Sequence, residues 1–291
     1  MKMEIIRSIE WMKQAARAAD STQRVIGFVP TMGALHEGHL SLVRAAKQQC
    51  SPVVVSIFVN PKQFAPTEDL EKYPRNFEKD CVLLESLGVD FVFAPDAAEI
   101  YPSNFRTSVR VDGLSEQFEG RIRPGHFQGV CTVVLKLFEI VRPRFAYFGR
   151  KDAQQARIIR QMVCDLNLDT EIVVCPIVRE SDGLAMSSRN AYLNPDERRA
   201  ATVLHQSLDA AHRKICSGAR AAGEILDAVN STIASEKLAK LDYAALVDAE
   251  SFETLDFVRG SCLLLIATRI GSIRLIDNMF IDGNQGFSVS L

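Results

Sequence analysis

The chain has 291 residues, 47% hydrophobic and 24% charged, with 34 basic against 36 acidic side chains and a formal net charge of −2. This is an ordinary globular composition, long enough for one large or two ordinary domains with a substantial core. It lacks the overall basic field that nucleic-acid binders use. No apolar run reaches transmembrane length, so neither nucleic acid nor a membrane is an expected partner.

The first residues, Met1-Lys2-Met3-Glu4-Ile5-Ile6-Arg7, contain no apolar stretch like that of a secretion signal. Seven cysteines are scattered along the chain and none forms a Cys-x-x-Cys pair. Their number is odd and most sit in apolar settings, such as Val130-Cys131 and Val174-Cys175, which reads as small buried hydrophobes in a reducing compartment. The spacing argues against structural zinc, and a cytoplasmic protein is expected.

In chain order, Val25-Ile26-Gly27-Phe28-Val29 predicts a strand ended by Pro30, followed by a helix over 40–49. Val53-Val54-Val55-Ser56-Ile57-Phe58 is the near-continuous apolar run of a strand buried on both faces. A helix over 77–87 stops at Gly88, and a short strand covers 91–93. A helix over 127–141, a strand over 145–148, a helix over 153–166 and a strand over 171–175 complete the alternation. From about residue 178 the pattern changes. A polar stretch, 179–190, precedes helical stretches near 195–216 and 220–236 and β-like runs at 243–247, 262–268 and 274–281. The expected class is α/β: a Rossmann-like parallel sheet with helices on both faces over residues 1–178, plus a smaller C-terminal α+β domain over 179–291. The boundary is expected within 176–190.

The segment Thr31-Met32-Gly33-Ala34-Leu35-His36-Glu37-Gly38-His39-Leu40 joins the first strand to its helix. A strand, a tight turn and a helix start bring backbone N–H groups together for a phosphate. His36 and His39, three apart, share one side of a helical turn, and Gly38 lets a ligand approach the backbone. Such a pair suits the α-phosphate of a nucleotide during transfer. Capping and packing, or zinc binding, are the alternative readings of the same pair. Neither Gly-x-Gly-x-x-Gly nor a P-loop sequence is present, which argues against an ordinary dehydrogenase or a P-loop kinase.

Pro30-Thr31-Met32-Gly33-Ala34-Leu35-His36-Glu37-Gly38-His39 resembles the signature of the pantoate–β-alanine ligase family, within the His-x-Gly-His nucleotidyltransferases. Further blocks agree in the same order: Phe58-Val59-Asn60-Pro61-Lys62-Gln63-Phe64, Arg123-Pro124-Gly125-His126-Phe127, Lys151-Asp152-Ala153-Gln154-Gln155, Met186-Ser187-Ser188-Arg189-Asn190 and Arg274-Leu275-Ile276-Asp277-Asn278. The resemblance implies a two-step ligation. ATP and pantoate give pantoyl adenylate and pyrophosphate; β-alanine then yields pantothenate and AMP, with Mg²⁺ managing phosphate charge. It also implies a homodimer, and a second domain that acts as a lid.

Residue by residue, the resemblance makes Met32 to His39 (Met32, Gly33, Ala34, Leu35, His36, Glu37, Gly38, His39) the first ATP-binding segment, with His39 and His36 catalytic. Gly149, Arg150, Lys151 and Asp152 join the ATP site; the place of Lys151 just past the strand over 145–148, at the sheet's carboxyl edge, also puts it in catalysis. Val178 gives a backbone contact to adenine, and Met186, Ser187, Ser188 and Arg189 form a phosphate loop. Gln63 and Gln155 match pantoate-binding glutamines, Gln63 also meeting β-alanine. Neutral amides can hold a carboxylate without the charge pairing that blunts its nucleophilicity. Two positions depart from the family: Arg150 stands where the family has Glu, and Ala153 where it has an aromatic residue. Lys79 interrupts the acidic run near Asp80, so no protein ligand of the metal is assigned. Arg121, Arg123 and His126 read equally well as part of the acid site or of a subunit contact.

Overall fold

A computed structural model describes residues 2–65 and 70–282, and the backbone of 288–290. Its strands are β1 (Glu4–Ile6), β2 (Gly27–Thr31), β3 (Val53–Ile57), β4 (Phe91–Phe93), β5 (Phe145–Gly149), β6 (Glu171–Cys175), β7 (Ala239–Asp248), β8 (Ser261–Ile270), β9 (Ile273–Asp282) and β10 (Ser288–Ser290). The α-helices are α1 (Ile9–Ser21), α2 (Glu37–Gln49), α3 (Phe77–Ser86), α4 (Ala97–Ile100), α5 (Phe118–Ile122), α6 (His126–Val141), α7 (Ala153–Asp165), α8 (Pro195–Ala200), α9 (Val203–Cys216) and α10 (Ala222–Ala234). Packing divides the chain into two compact units. One is Met1–Arg150 with Gln154–Pro176; the other is Lys151–Ala153 with Ile177–Leu291. The expected boundary after residue 178 lies two residues beyond this division, and it leaves the turn 151–153 with the first part.

In the first unit six strands form one parallel sheet in the order β1-β4-β3-β2-β5-β6. Alternation along the strands sends Phe28, Val54, Ala146 and Phe148 to one face, where they pack with Met12 and Ala16 of α1, Val134 of α6 and Ile159 of α7. Val29, Val55 and Tyr147 face the other way, onto Val43 and Ala46 of α2 and Leu84 of α3. Burial on both faces explains the continuous apolar runs. From β2 the chain passes to β3 on one side, and β5 lies on the other. The carboxyl ends of β2 and β5 therefore flank the reversal of strand order, where open α/β sheets bind ligands.

Three local differences from the sequence reading have physical causes. The edge strand β1 is too short to show a period, and the buried face of α1 is largely alanine. Strand β1 is three residues long, and α1 buries Met12, Ala16 and Ala19 while Trp11 lies 64% exposed. Strand β2 begins two residues later than expected and runs through Pro30. The β2–β5 pairing ends at Phe28, so the missing N–H of Pro30 breaks no ladder on that side. Cys164 and Cys216 are exposed, whereas Cys50, Cys131, Cys175 and Cys262 are buried.

In the second unit the antiparallel sheet has the order β10-β9-β8-β7. One face packs Leu264, Ile266, Leu275 and Met279 against Leu208 and Ala211 of α9 and Ile225 and Val229 of α10.

Close approach fixes one glycine in the first unit. A Cβ at Gly129 on α6 would lie 2.2 Å from the Lys62 carbonyl oxygen and 2.7 Å from the Gln63 amide nitrogen. Gly129→Ala is expected to destabilise the protein by about 1–3 kcal/mol through overpacking. Gly223→Ala, on α10 with open space around it, should instead stabilise by roughly 0.5–1 kcal/mol. Chemical denaturation of the two variants checks the contrast in sign.

Candidate active site

The loop leaving β2 turns through Gly33 at φ +83° and Ala34 at φ +51°, the latter costing about 1–2 kcal/mol for a residue with a Cβ. Thr31 braces its start, donating from Oγ1 to the Ser56 carbonyl at 2.7 Å and accepting from the Gly33 N–H at 3.2 Å. The buried carboxylate of Asp80 on α3 then accepts from the N–H groups of Ala34 (2.9 Å) and Leu35 (2.8 Å). The turn delivers His36 to the N-cap of α2 in extended conformation.

The two imidazoles are held by their Nδ1 atoms. His36 Nδ1 accepts from the Gly38 N–H at 3.2 Å, and His39 Nδ1 accepts from the His36 N–H at 3.4 Å. Their ring centroids are 4.1 Å apart at an angle of 41°. The pair thus stands at a helix start, where backbone N–H groups and the helix dipole favour an anion. Glu37 is exposed and paired with Arg44, whose hydrogen bond holds its carboxyl below the ordinary range. Its side chain is turned to that partner.

Gln63 joins this loop in the same unit. It ends a short 3₁₀ turn, Pro61–Gln63, capped by Asn60. The buried Asn60 amide donates from Nδ2 to Gln63 Oε1 (3.0 Å) and to the Gly129 carbonyl (3.1 Å), while its Oδ1 accepts from the Tyr101 hydroxyl (2.8 Å). With its oxygen engaged, Gln63 presents Nε2 as a donor, 3.1 Å from Met32 Sδ. His126 Nδ1 and Arg123 Nη2 lie 2.9 and 3.4 Å from the Gln63 carbonyl oxygen. Arg123 and His126 therefore hold the backbone of the Gln63 turn, a task their sequence setting did not specify. Arg121 is exposed. Gln155 is partly exposed on α7, whereas its neighbour Gln154 is buried, donating to the Leu114 and Gln117 carbonyls and accepting from the Glu119 N–H. Gly149 ends β5, and the charge of Arg150 acts on the Cys175 thiol, which burial pushes up.

The remaining candidates lie in the second unit. Lys151 Nζ is 3.7 Å from Asp152 Oδ1, and the Lys151 carbonyl accepts from Asn278 Nδ2 at 2.9 Å. Val178 begins a narrow hairpin, its carbonyl accepting from the Met186 N–H at 3.0 Å. Ser187 caps the following 3₁₀ turn through Oγ, which accepts from the Arg189 N–H at 3.3 Å, and Ser188 and Arg189 open that turn.

Comparison with known proteins bears on these arrangements. The family described as Pantoate-beta-alanine ligase matches residues 4–280. A pantothenate synthetase of Caldicellulosiruptor bescii is 52% identical over 280 residues, covering 96% of this chain and 99% of that one. The crystal structure of a Thermus thermophilus pantothenate synthetase superposes with a TM-score of 0.91 at 44% identity, covering 95% of this chain and 98% of that one. A Francisella tularensis pantoate–β-alanine ligase, solved in complex with β,γ-ATP and β-alanine, has a TM-score of 0.78 at 38% identity, with 95% and 97% covered.

Asp80 is the site residue that sequence reasoning missed. In sequence it stands in an acidic run interrupted by Lys79, with no role assigned, yet it is 2% exposed. Burial pushes its carboxyl above the ordinary value of 3.8, opposed by the two backbone N–H groups. A raised folded-state value contributes stability that is complete below the unfolded value and lost as pH rises through the folded one. Asp80→Asn removes that pH-dependent cost. The melting temperature of the variant relative to the parent should therefore rise between pH 4 and pH 8, as thermal denaturation across that range will show. A difference that stays flat or falls would contradict the assignment.

Proposed function

The chain belongs to the pantoate–β-alanine ligase family, and from that premise we infer that it condenses pantoate with β-alanine, using ATP, to give pantothenate, AMP and pyrophosphate. In the first step a pantoate carboxylate oxygen attacks the α-phosphorus and pyrophosphate leaves. In the second the β-alanine amine attacks the acyl carbon of pantoyl adenylate and AMP leaves. Neither step requires a covalent enzyme nucleophile. The work of the protein is orientation and stabilisation of charge on phosphorus.

The observation that carries this reading is the pair of imidazoles held through Nδ1 at a helix start, in the same unit as a glutamine whose amide oxygen is engaged and whose nitrogen is a donor. To His39 and His36 it gives the α-phosphate oxygens, on which negative charge accumulates as the carboxylate attacks. To Gln63, with Gln155, it gives pantoate, and to Gln63 also β-alanine. The backbone of Met32, Gly33, Ala34, Leu35 and Gly38 surrounds the nucleotide, as do Gly149, Arg150 and Asp152. Val178 takes the adenine, and Lys151, Met186, Ser187, Ser188 and Arg189 take the β- and γ-phosphates and the departing pyrophosphate. The Asp80 carboxylate is engaged by backbone N–H groups, and among the described residues no group of three or more acidic, His or Cys side chains gathers to hold an ion. Mg²⁺, which neutralises phosphate charge, fits this chain as an ion carried by the nucleotide. A cytoplasmic homodimer completes the proposal.

The test is a coupled assay with ATP, Mg²⁺, pantoate and β-alanine, read as pantothenate and AMP. Exchange of pyrophosphate into ATP should depend strictly on pantoate. Exchange driven by another acceptor would mark a different nucleotidyltransferase, and ATP binding without product would mark a nucleotide sensor. His39→Ala should fold normally and lower adenylate formation by about 10²–10³-fold, the usual loss on removing one charge-stabilising donor. Near-normal turnover would remove His39 from this role.

A further inference from the structure

Strand β9 carries two adjacent buried polar side chains, Asp277 at 3% exposure and Asn278 at 1%. Alternation along the strand places Asp277 in line with Leu275, Met279 and Ile281, all members of the apolar core of this unit, and Asn278 on the opposite face. A carboxylate in that row costs desolvation that only a well-made partner offsets. The partner is Arg179, which donates from Nη1 to Oδ2 at 2.7 Å and from Nη2 to Oδ1 at 3.1 Å. The same guanidinium donates from Nη1 to the Gly183 carbonyl at 3.0 Å, closing the hairpin in which Arg179 pairs with Ala185. A Cβ at Gly183 would overlap the His205 ring, so the hairpin tip is also seated on α9. Directly beyond Ala185 come Met186, Ser187, Ser188 and Arg189. On the other face of the strand, Asn278 Nδ2 holds the Lys151 carbonyl.

We propose that Asp277 and Asn278 are positioning residues for the nucleotide: one step of β9 fixes the hairpin that leads into Ser187–Arg189 and the turn that carries Lys151. This rests on the phosphate-binding roles given above to those segments. The two anchors use different chemistry. Asp277 acts through a bidentate charge pair that sets the hairpin's orientation as well as its place. Asn278 acts through a neutral donor on the main chain of Lys151 and does not engage its ammonium, which lies near Asp152. Neither side chain needs to touch the substrate; each holds the backbone from which the touching groups extend.

The experiment uses Asn278→Ala and Asp277→Asn, with Arg179→Lys as the milder variant that keeps the charge and loses the planar fork. Each is assayed for the KM of ATP and for pyrophosphate–ATP exchange. Each is also assayed for pantothenate formation from β-alanine and chemically supplied pantoyl adenylate, which bypasses the triphosphate. A misplacement of phosphate-holding groups should raise the KM of ATP and slow exchange by on the order of tenfold or more. The bypass reaction, which uses the adenine contact at Val178 but needs no triphosphate, should fall severalfold less than exchange does. Equal losses in both half-reactions would mean a purely structural role and overturn the proposal, as would parental ATP kinetics in a folded variant. If the first two variants fail to fold, Arg179→Lys decides by the same comparison. Absence of pantothenate formation by the parent protein would instead overturn the reading of the site itself.

Discussion

The site loop exists because a buried carboxylate holds a backbone that left-handed geometry disfavours. Ala34 at φ +51° is strained, and its N–H and that of Leu35 would otherwise be buried donors without strand or helix to receive them. Asp80 answers both needs with one side chain. The carboxyl is pushed upward by burial, so its ionised form is maintained at a cost to the fold. What that cost secures is the entry of the chain into α2 with His36 at its cap. From there the backbone N–H groups of His36 and Gly38 orient the two rings through their Nδ1 atoms.

The second element of the same unit is built by close packing. Helix α6 approaches the 60–63 turn so nearly that only glycine fits at position 129. This approach lets Asn60 reach the Gly129 carbonyl and the Gln63 amide together, and brings His126 and Arg123 to the Gln63 carbonyl oxygen. Gln63 is therefore fixed at side chain and backbone. Its amide nitrogen is held as the donor in advance, and less ordering remains to be done when an acid binds. A neutral donor of this kind orients a carboxylate that must remain nucleophilic.

The second unit solves a similar problem with charge. Its sheet and two helices form an apolar core, and the Arg179–Asp277 pair penetrates it. Replacing such a pair with hydrophobic residues often leaves stability unchanged or improved, so its retention points to orientation. Asn278 adds a second, uncharged tie one residue further along the same strand.

Much of this protein is legible in the amino-acid order because its signals are local and periodic. The five apolar runs that form β2 to β6, the helices between them, the change of pattern near residue 178, and the clustered His36, Gly38 and His39 all follow from spacing and residue type. Several co-linear motifs, from Pro30–His39 to Arg274–Asn278, identify the family on sequence alone. Tertiary structure decided the rest. Strand β1 is too short to show a period, α1 buries a face made largely of alanine, and β2 passes through a proline where its pairing with β5 has ended. Asp80, Asn60 and Asp277 look like ordinary polar residues in sequence. Their importance comes from partners 46, 69 and 98 positions away, at Ala34, Gly129 and Arg179. The placement of 151–153 with the second unit has the same origin. Residue type and period are read along the chain, whereas burial and hydrogen-bond pairing depend on which segments the folded chain brings together.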